Sequence, residues 1–173
     1  MGVLIWLESS PLAVWLRESP SKWALPTVLT LHTMGMAVLV GASWVLDLRL
    51  LGISRNVPLS AFRWVFRAVA VGLIVNLATG VLLFAQRATT WATSMPFLIK
   101  ICLVIASVAT LVPIRSLVLR SDAEQRPSTA ARGVPSHVEG REVSFSARLL
   151  AIASILAWSG AVTAGRLLAY LVP

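Results

Sequence analysis

Polar side chains inside otherwise apolar stretches are the groups in this sequence best suited to chemistry. His32, Asn76 and Lys100 each interrupt a run of aliphatic residues, and Arg166 lies near the end of a fourth such run. Hydrocarbon strongly disfavours charged and unpaired polar groups, so such side chains need partners or a ligand. We therefore predict a cofactor-binding site formed by His32, Asn76, Lys100 and Arg166. The alternative is that Lys100 and Arg166 reach the headgroups while Asn76 joins helices by hydrogen bonds.

The types of these side chains leave the cofactor open. His32 and Met36 are four residues apart and share a helix face. An imidazole with a thioether suits Cu(I), which predicts a copper site at His32 and Met36. One histidine within a span can also be an axial ligand of haem b, with Lys100 or Arg166 meeting a propionate. A quinone is a further candidate, and none of these cofactors is favoured over the others.

The polar residues belong to four apolar stretches that are long enough to cross a membrane. A helix needs about 20 mostly apolar residues to cross a hydrocarbon layer of about 30 Å. The chain is 57% hydrophobic and 13% charged, with a mean hydropathy of +0.83, unlike soluble domains. This composition predicts an all-α fold, a four-transmembrane-helix bundle occupying residues 23–173. The predicted spans are residues 24–46, 64–85, 97–119 and 146–171.

Two polar segments lie outside these spans. In residues 1–22, Ser10 followed by Pro11 is a typical helix start. Tryptophan and leucine residues mixed with charged residues there predict a short interfacial amphipathic helix. Residues 121–142 are rich in charge, proline and glycine, which predicts a flexible cytoplasmic loop.

The distribution of lysine and arginine predicts the orientation of the bundle. Of the 15 such residues, ten lie in or beside the connections between spans one and two and between spans three and four. The positive-inside rule places both connections in the cytoplasm and both termini outside it, on the periplasmic side. The candidate site then lies in the outer half of the bundle. Because topology explains the net charge of +8, no nucleic acid partner is predicted.

Two further patterns concern helix packing and charge pairing. Ala37-x-x-x-Gly41 in the first span and Gly160-x-x-x-Ala164 in the fourth are ridges of small residues. Such ridges let helix backbones approach closely, so both are predicted to pack against neighbouring helices. Asp47, at the end of the first span, lies two residues before Arg49, and an ion pair or a helix-end contact is the predicted role there.

Five segments carry a resemblance to a known family. They are LESSPLAVWLRES, LHTMGMAVLVGASWVLDLRLLG, NLATGVLLF, FLIKICLV and AGRLLAY, within residues from about Leu7 to Tyr170. Together they resemble a family of short bacterial four-span membrane proteins of unassigned function. A fainter similarity connects such bundles to copper-resistance D-type membrane domains and to b-type cytochrome bundles. The resemblance implies a four-helix fold in the bacterial inner (cytoplasmic) membrane, and it implies no activity.

Three classes of function follow from these observations. The sequence contains no H-E-x-x-H, G-x-S-x-G or phosphate-binding loop motif, so an enzyme is not predicted. The favoured prediction is a non-catalytic accessory or structural subunit of a larger membrane complex, whose partners are membrane lipids and other membrane protein subunits. The alternatives are an electron-transfer protein linked to haem or quinone and a copper-handling protein with its site near His32.

Overall fold

The computed structural model describes residues 2–53, 57, 59–125 and 144–171. All regular elements within these ranges are helical, which confirms the predicted all-α fold. One short 3₁₀ segment, Leu59–Trp64, separates α3 from α4. The α-helices are α1 (Gly2–Glu8), α2 (Pro11–Glu18), α3 (Ala24–Leu51), α4 (Val65–Ala85), α5 (Ala88–Ala92), α6 (Met95–Gln125) and α7 (Phe145–Leu171).

Four of these helices are long and apolar enough to cross a membrane, so the chain is a multi-pass membrane protein. The segments concerned agree with the predicted spans to within a few residues at most of their ends. They are Ala24–Leu51, Ala61–Ala85, Met95–Leu119 and Phe145–Leu168. Helix α6 continues beyond its apolar part to Gln125. Residues 121–125 of the predicted loop are therefore helical, while residues 126–142 of that loop lie outside the described residues.

The four long helices form two antiparallel hairpins. Helix α3 packs along α4, α6 packs along α7, and the contact between α3 and α7 joins the hairpins. Buried apolar side chains from all four helices form one core, which includes Leu39, Val69, Ile114 and Trp158. The 3₁₀ segment packs against α6 and defines what we call the loop end of the bundle. Helices α1, α2 and α5 lie at the opposite end, which we call the capped end.

The N-terminal segment forms two short helices instead of the single one predicted. Ser10 caps α2, since its Oγ accepts a hydrogen bond from the backbone N–H of Ala13 at 3.4 Å, and Pro11 occupies the first helical position. Helix α1 is held to the bundle by Glu8. Its Oε2 accepts hydrogen bonds from the hydroxyl of Thr89 at 2.6 Å and from the Thr89 backbone N–H at 3.1 Å. These bonds lower the pKa of Glu8 below its ordinary value, with the hydroxyl bond as the main cause.

Glycine residues set the distance between α3 and α4. A Cβ atom at Gly72 would lie 2.8 Å from the backbone nitrogen of Leu39, and one at Gly35 would lie 3.0 Å from the backbone nitrogen of Asn76. No other residue fits at this crossing, so the two backbones are in direct contact. A third glycine, Gly52, ends α3 with a φ of 104°, a left-handed conformation that favours glycine.

The predicted small-residue ridge of α3 faces away from the rest of the bundle. Ala37 and Gly41 are exposed, and no atom would lie within 4 Å of a Cβ at Gly41. The prediction that this ridge packs against a neighbouring helix of the same chain is therefore wrong. The ridge of α7 behaves as predicted, because a Cβ at Gly160 would lie 3.0 Å from a methyl group of Leu103 on α6.

Candidate functional site

His32 is held in place by a hydrogen bond between two helices. Its Nδ1 lies 3.0 Å from the hydroxyl oxygen of Thr79 on α4. The Thr79 hydroxyl donates its own hydrogen to the backbone carbonyl of Val75 at 2.6 Å, so it accepts a hydrogen from His32. Neutral imidazole carries a hydrogen on only one nitrogen. The neutral His32 ring is therefore assigned the tautomer in which Nδ1 carries the hydrogen and donates it. The lone pair of Nε2 is then available to a ligand.

Asn76 and Gly80 complete the surroundings of His32 on α4. The side-chain amide of Asn76 donates a hydrogen bond to the backbone carbonyl of His32 at 3.0 Å. A Cβ at Gly80 would lie 3.3 Å from Cε1 of the imidazole, so the absence of a side chain there makes room for the ring. These contacts join α3 to α4, which is the packing role that the sequence left open for Asn76.

Lys100 brings a second basic group from the other hairpin. Its aliphatic chain and ammonium group lie 3.5–3.6 Å from the position that a Cβ of Gly165 on α7 would occupy. Lys100 is half-buried and close enough to His32 for their charges to interact. No acidic side chain among the described residues forms an ion pair with it. The structure thus places an unpaired ammonium group and an imidazole in the same part of the bundle.

The other two predicted site residues are Arg166 and Met36. Arg166 follows Gly165 on α7 but is exposed, so it does not join His32 and Lys100 inside the bundle. Met36 is partly buried and packs against the hydrophobic core. The described residues contain no group of three or more histidine, cysteine, aspartate or glutamate side chains able to hold a metal ion. A copper site with only His32 and Met36 as protein ligands stays a prediction.

Aromatic rings connect α4 to α6 towards the capped end. The rings of Phe84 and Phe97 stack with centroids 5.0 Å apart, and those of Trp91 and Phe97 with centroids 6.4 Å apart. Such pairs contribute beyond the area they bury. Because α4 and α6 have little backbone contact of their own, these rings help to close the bundle on this side.

The prediction that Asp47 forms an ion pair with Arg49 or a helix-end contact is wrong. It is 0% exposed, and neither of its carboxylate oxygens has a hydrogen-bond partner among the described residues. Arg49 does not pair with it: the Arg49 Nε donates to the backbone carbonyl of Val57 at 2.8 Å. Residues two apart lie on different faces of a helix, so this separation has a simple geometric cause. The sequence does contain a sign of the polar surroundings of Asp47 on α7, where Ser154 and Trp158 are four residues apart and therefore share one helix face.

The fold and these contacts define a class, the multi-pass four-helix membrane proteins. Comparisons with protein-family profiles, with curated proteins and with solved structures found no match to this chain. The resemblance to short bacterial four-span proteins therefore stays a prediction.

Proposed function

We propose that this protein is a non-catalytic accessory subunit of a larger complex in the bacterial inner membrane, with both termini in the periplasm. The observation that carries the proposal is the exposed ridge of Thr33, Ala37 and Gly41 on α3. These residues recur every four positions, so they form one stripe along the helix. The stripe faces the lipid, and within the described residues no helix of this chain covers it.

The chemistry of the ridge supports a transmembrane helix of another subunit as its partner. Lipid tails are as apolar as aliphatic side chains, so helix association within a membrane depends on close packing and on hydrogen bonds. Small residues permit that close approach, as Gly35 and Gly72 do between α3 and α4. The open space at Gly41 leaves room for a backbone at a similar distance.

The capped end offers a second surface for the same assembly. Helices α1 and α2 expose large apolar side chains, and the hydrogen bonds of Glu8 to Thr89 fix α1 against α5. Tryptophan is typical of the membrane interface and of binding hot spots. The exposed residues are Val3, Ile5, Trp6, Leu12 and Trp15, together with Trp23 directly before α3. This surface suits headgroups or the outer part of a partner subunit.

A substitution on the ridge tests the subunit proposal. Gly41→Leu introduces a large side chain where the partner backbone would approach, so we expect loss of the partner from gently solubilised membranes. Ala78→Leu is the matched control, because Ala78 is exposed on the lipid side of α4. The measurement is the native mass of the tagged protein, with identification of co-purifying chains. Recovery of the unsubstituted protein as a monomer of 18.6 kDa, or only as a homodimer, would refute the proposal.

A second candidate function has its own supporting observation, the unpaired Lys100 in the same part of the bundle as His32. Two basic side chains without an acidic partner suit an anionic group, such as a haem propionate or a lipid phosphate, or the carbonyl oxygen of a quinone. The free lone pair of His32 Nε2 suits a haem iron or a hydrogen-bond donor. In this case the chain is an electron-transfer protein or the cofactor-carrying subunit of the same complex.

The absorption spectrum of the purified protein separates these possibilities. A Soret band that disappears in His32→Ala indicates haem b, and extractable quinone that is lost in Lys100→Met indicates a quinone site. Arg166→Met is the control, because the exposed Arg166 does not join the pair. Stoichiometric copper in the same sample would favour the His32 and Met36 site instead. A colourless sample without quinone or metal would eliminate the cofactor candidates.

A further inference from the structure

The interface between α3 and α7 contains a group of buried polar side chains that neither proposed function uses. Asp47, Ser154 and Trp158 are each 0% exposed. The carboxylate oxygens of Asp47, the Oγ of Ser154 and the Nε1 of Trp158 have no hydrogen-bond partner among the described residues. Buried polar atoms are nearly always paired in native proteins. Several unpaired atoms in one interface therefore indicate that something else binds there.

The antiparallel arrangement of α3 and α7 explains why these side chains meet. The hydroxyl of Ser154 lies beside the carboxyl group of Asp47. Since the helices are antiparallel, a shift of four residues on each predicts that Ser43 on α3 comes level with Trp158 on α7, one turn nearer the capped end. The hydroxyl of Ser43 donates to the backbone carbonyl of Leu39 at 2.8 Å, so its oxygen can still accept. Two turns of each helix thus form a polar stripe enclosed by the hydrophobic core.

The charged side chains around this end do not neutralise Asp47. Arg49 lies on α3, Arg63 in the 3₁₀ segment, Arg67 on α4 and Arg148 on α7. None of them makes a hydrogen bond to the Asp47 carboxylate, and the ion pairs found among the described residues do not include Asp47. A carboxylate enclosed in an apolar interior without a cation is very unfavourable.

We propose that Asp47 and Ser154 form a buried binding site for a monovalent cation, either a proton or an alkali-metal ion. Carboxylate and hydroxyl oxygens can hold either one, and the bound charge neutralises Asp47. The indole N–H of Trp158 is a donor only and cannot ligate a cation. It can donate to the carboxylate or to a water molecule in the site. Because Asp47 lies one turn from the end of α3, the cation enters from the loop end.

The fluorescence of Trp158 gives a direct measurement of this site. Trp158 is the only fully buried residue among the seven tryptophans, and its difference signal is obtained by comparison with Trp158→Phe. The purified protein is titrated from about pH 4 to pH 9, the interval in which buried carboxyl groups change charge. One titration uses choline chloride and the other uses sodium chloride at the same ionic strength. We expect a single transition in choline chloride.

The two salts distinguish the two cations. A midpoint that is the same in both salts identifies the proton as the ligand. A midpoint that sodium displaces to lower pH identifies a metal ion that competes with the proton. Asp47→Asn should abolish the transition in both salts, while Glu18→Gln, which changes an exposed carboxyl group on α2 in the same way, should leave it unchanged.

Ser154→Ala keeps the test decisive if Asp47→Asn does not fold. This variant retains the carboxyl group and removes one neutral oxygen beside it, so the affinity of the site should change about fivefold, as expected for the loss of one neutral hydrogen bond. A metal ion should bind more weakly because it loses a ligand, whereas a proton should bind more tightly because the hydroxyl no longer stabilises the charged carboxylate. A titration without any transition, a transition that persists in Asp47→Asn, or a midpoint that Ser154→Ala does not move would each overturn the proposal.

Discussion

Substitution of Gly72 by alanine should destabilise the bundle by an amount that the structure allows us to estimate. The added Cβ would lie 2.8 Å from the backbone nitrogen of Leu39, whereas ordinary contact begins at 3.4 Å. Helices α3 and α4 must therefore separate by about 0.6 Å, because a helix backbone cannot give way locally as a side chain can. Overpacking of this kind costs about 1–3 kcal/mol.

The separation has a second cost, because two hydrogen bonds cross the same interface. The bonds of His32 to Thr79 and of Asn76 to the His32 carbonyl are each 3.0 Å long. If they lengthened by the same amount, they would reach about 3.6 Å, where no hydrogen bond remains. Each interhelical hydrogen bond in a membrane contributes roughly 0.6 kcal/mol or somewhat more. The two effects together predict a loss of about 2–4 kcal/mol in the free energy of unfolding.

The assay is reversible unfolding of the purified protein in mixed micelles, followed by circular dichroism as the fraction of denaturing detergent rises. Gly41→Ala is the matched control, because no atom lies within 4 Å of its added Cβ. It carries the same gain in helix propensity, at most about 1 kcal/mol, so the difference between the two variants isolates the steric effect. If Gly72→Ala unfolds within about 0.5 kcal/mol of Gly41→Ala, a spread typical of surface substitutions, the close contact of α3 and α4 is refuted.

Three further predictions concern the ends of the bundle. The pKa of Glu8 is lowered by its hydrogen bonds to Thr89, so α1 should stay attached at neutral pH and detach as the pH falls through that lowered pKa. Proteolysis at acidic pH should therefore cleave α1. Glu8→Gln should remove this pH dependence. Phe97→Ala removes the stacked ring pair with Phe84 and should cost about 1–2 kcal/mol, somewhat more than an aromatic pair alone, in the same unfolding assay; an unchanged unfolding curve would contradict the bridging role of these rings. A topology reporter fused after Pro173 should be active in the periplasm, and cytoplasmic activity would reverse the proposed orientation.

The sequence alone was sufficient for the four helices and for their approximate ends. Crossing hydrocarbon requires that every backbone polar group be satisfied within the segment, so a run of 20 or more apolar residues has few alternatives to a helix. Local signals were also reliable where the physics is local. Ser10 and Pro11 start α2 as predicted, because helix capping depends on adjacent residues only.

The tertiary structure decided which faces of the helices pack together, and the sequence did not predict these faces correctly. In a membrane both the lipid-facing and the core-facing sides of a helix are apolar, so the spacing of apolar residues does not show which face packs against other helices. The sequence around Gly41 therefore looks the same as the sequence around Gly35. In the structure, only Gly35 lies against another helix of the chain. For the same reason the sequence suggested that Asp47 pairs with Arg49. In the structure, Asp47 lies on a different face of α3 from Arg49, and its carboxyl group faces Ser154 on α7.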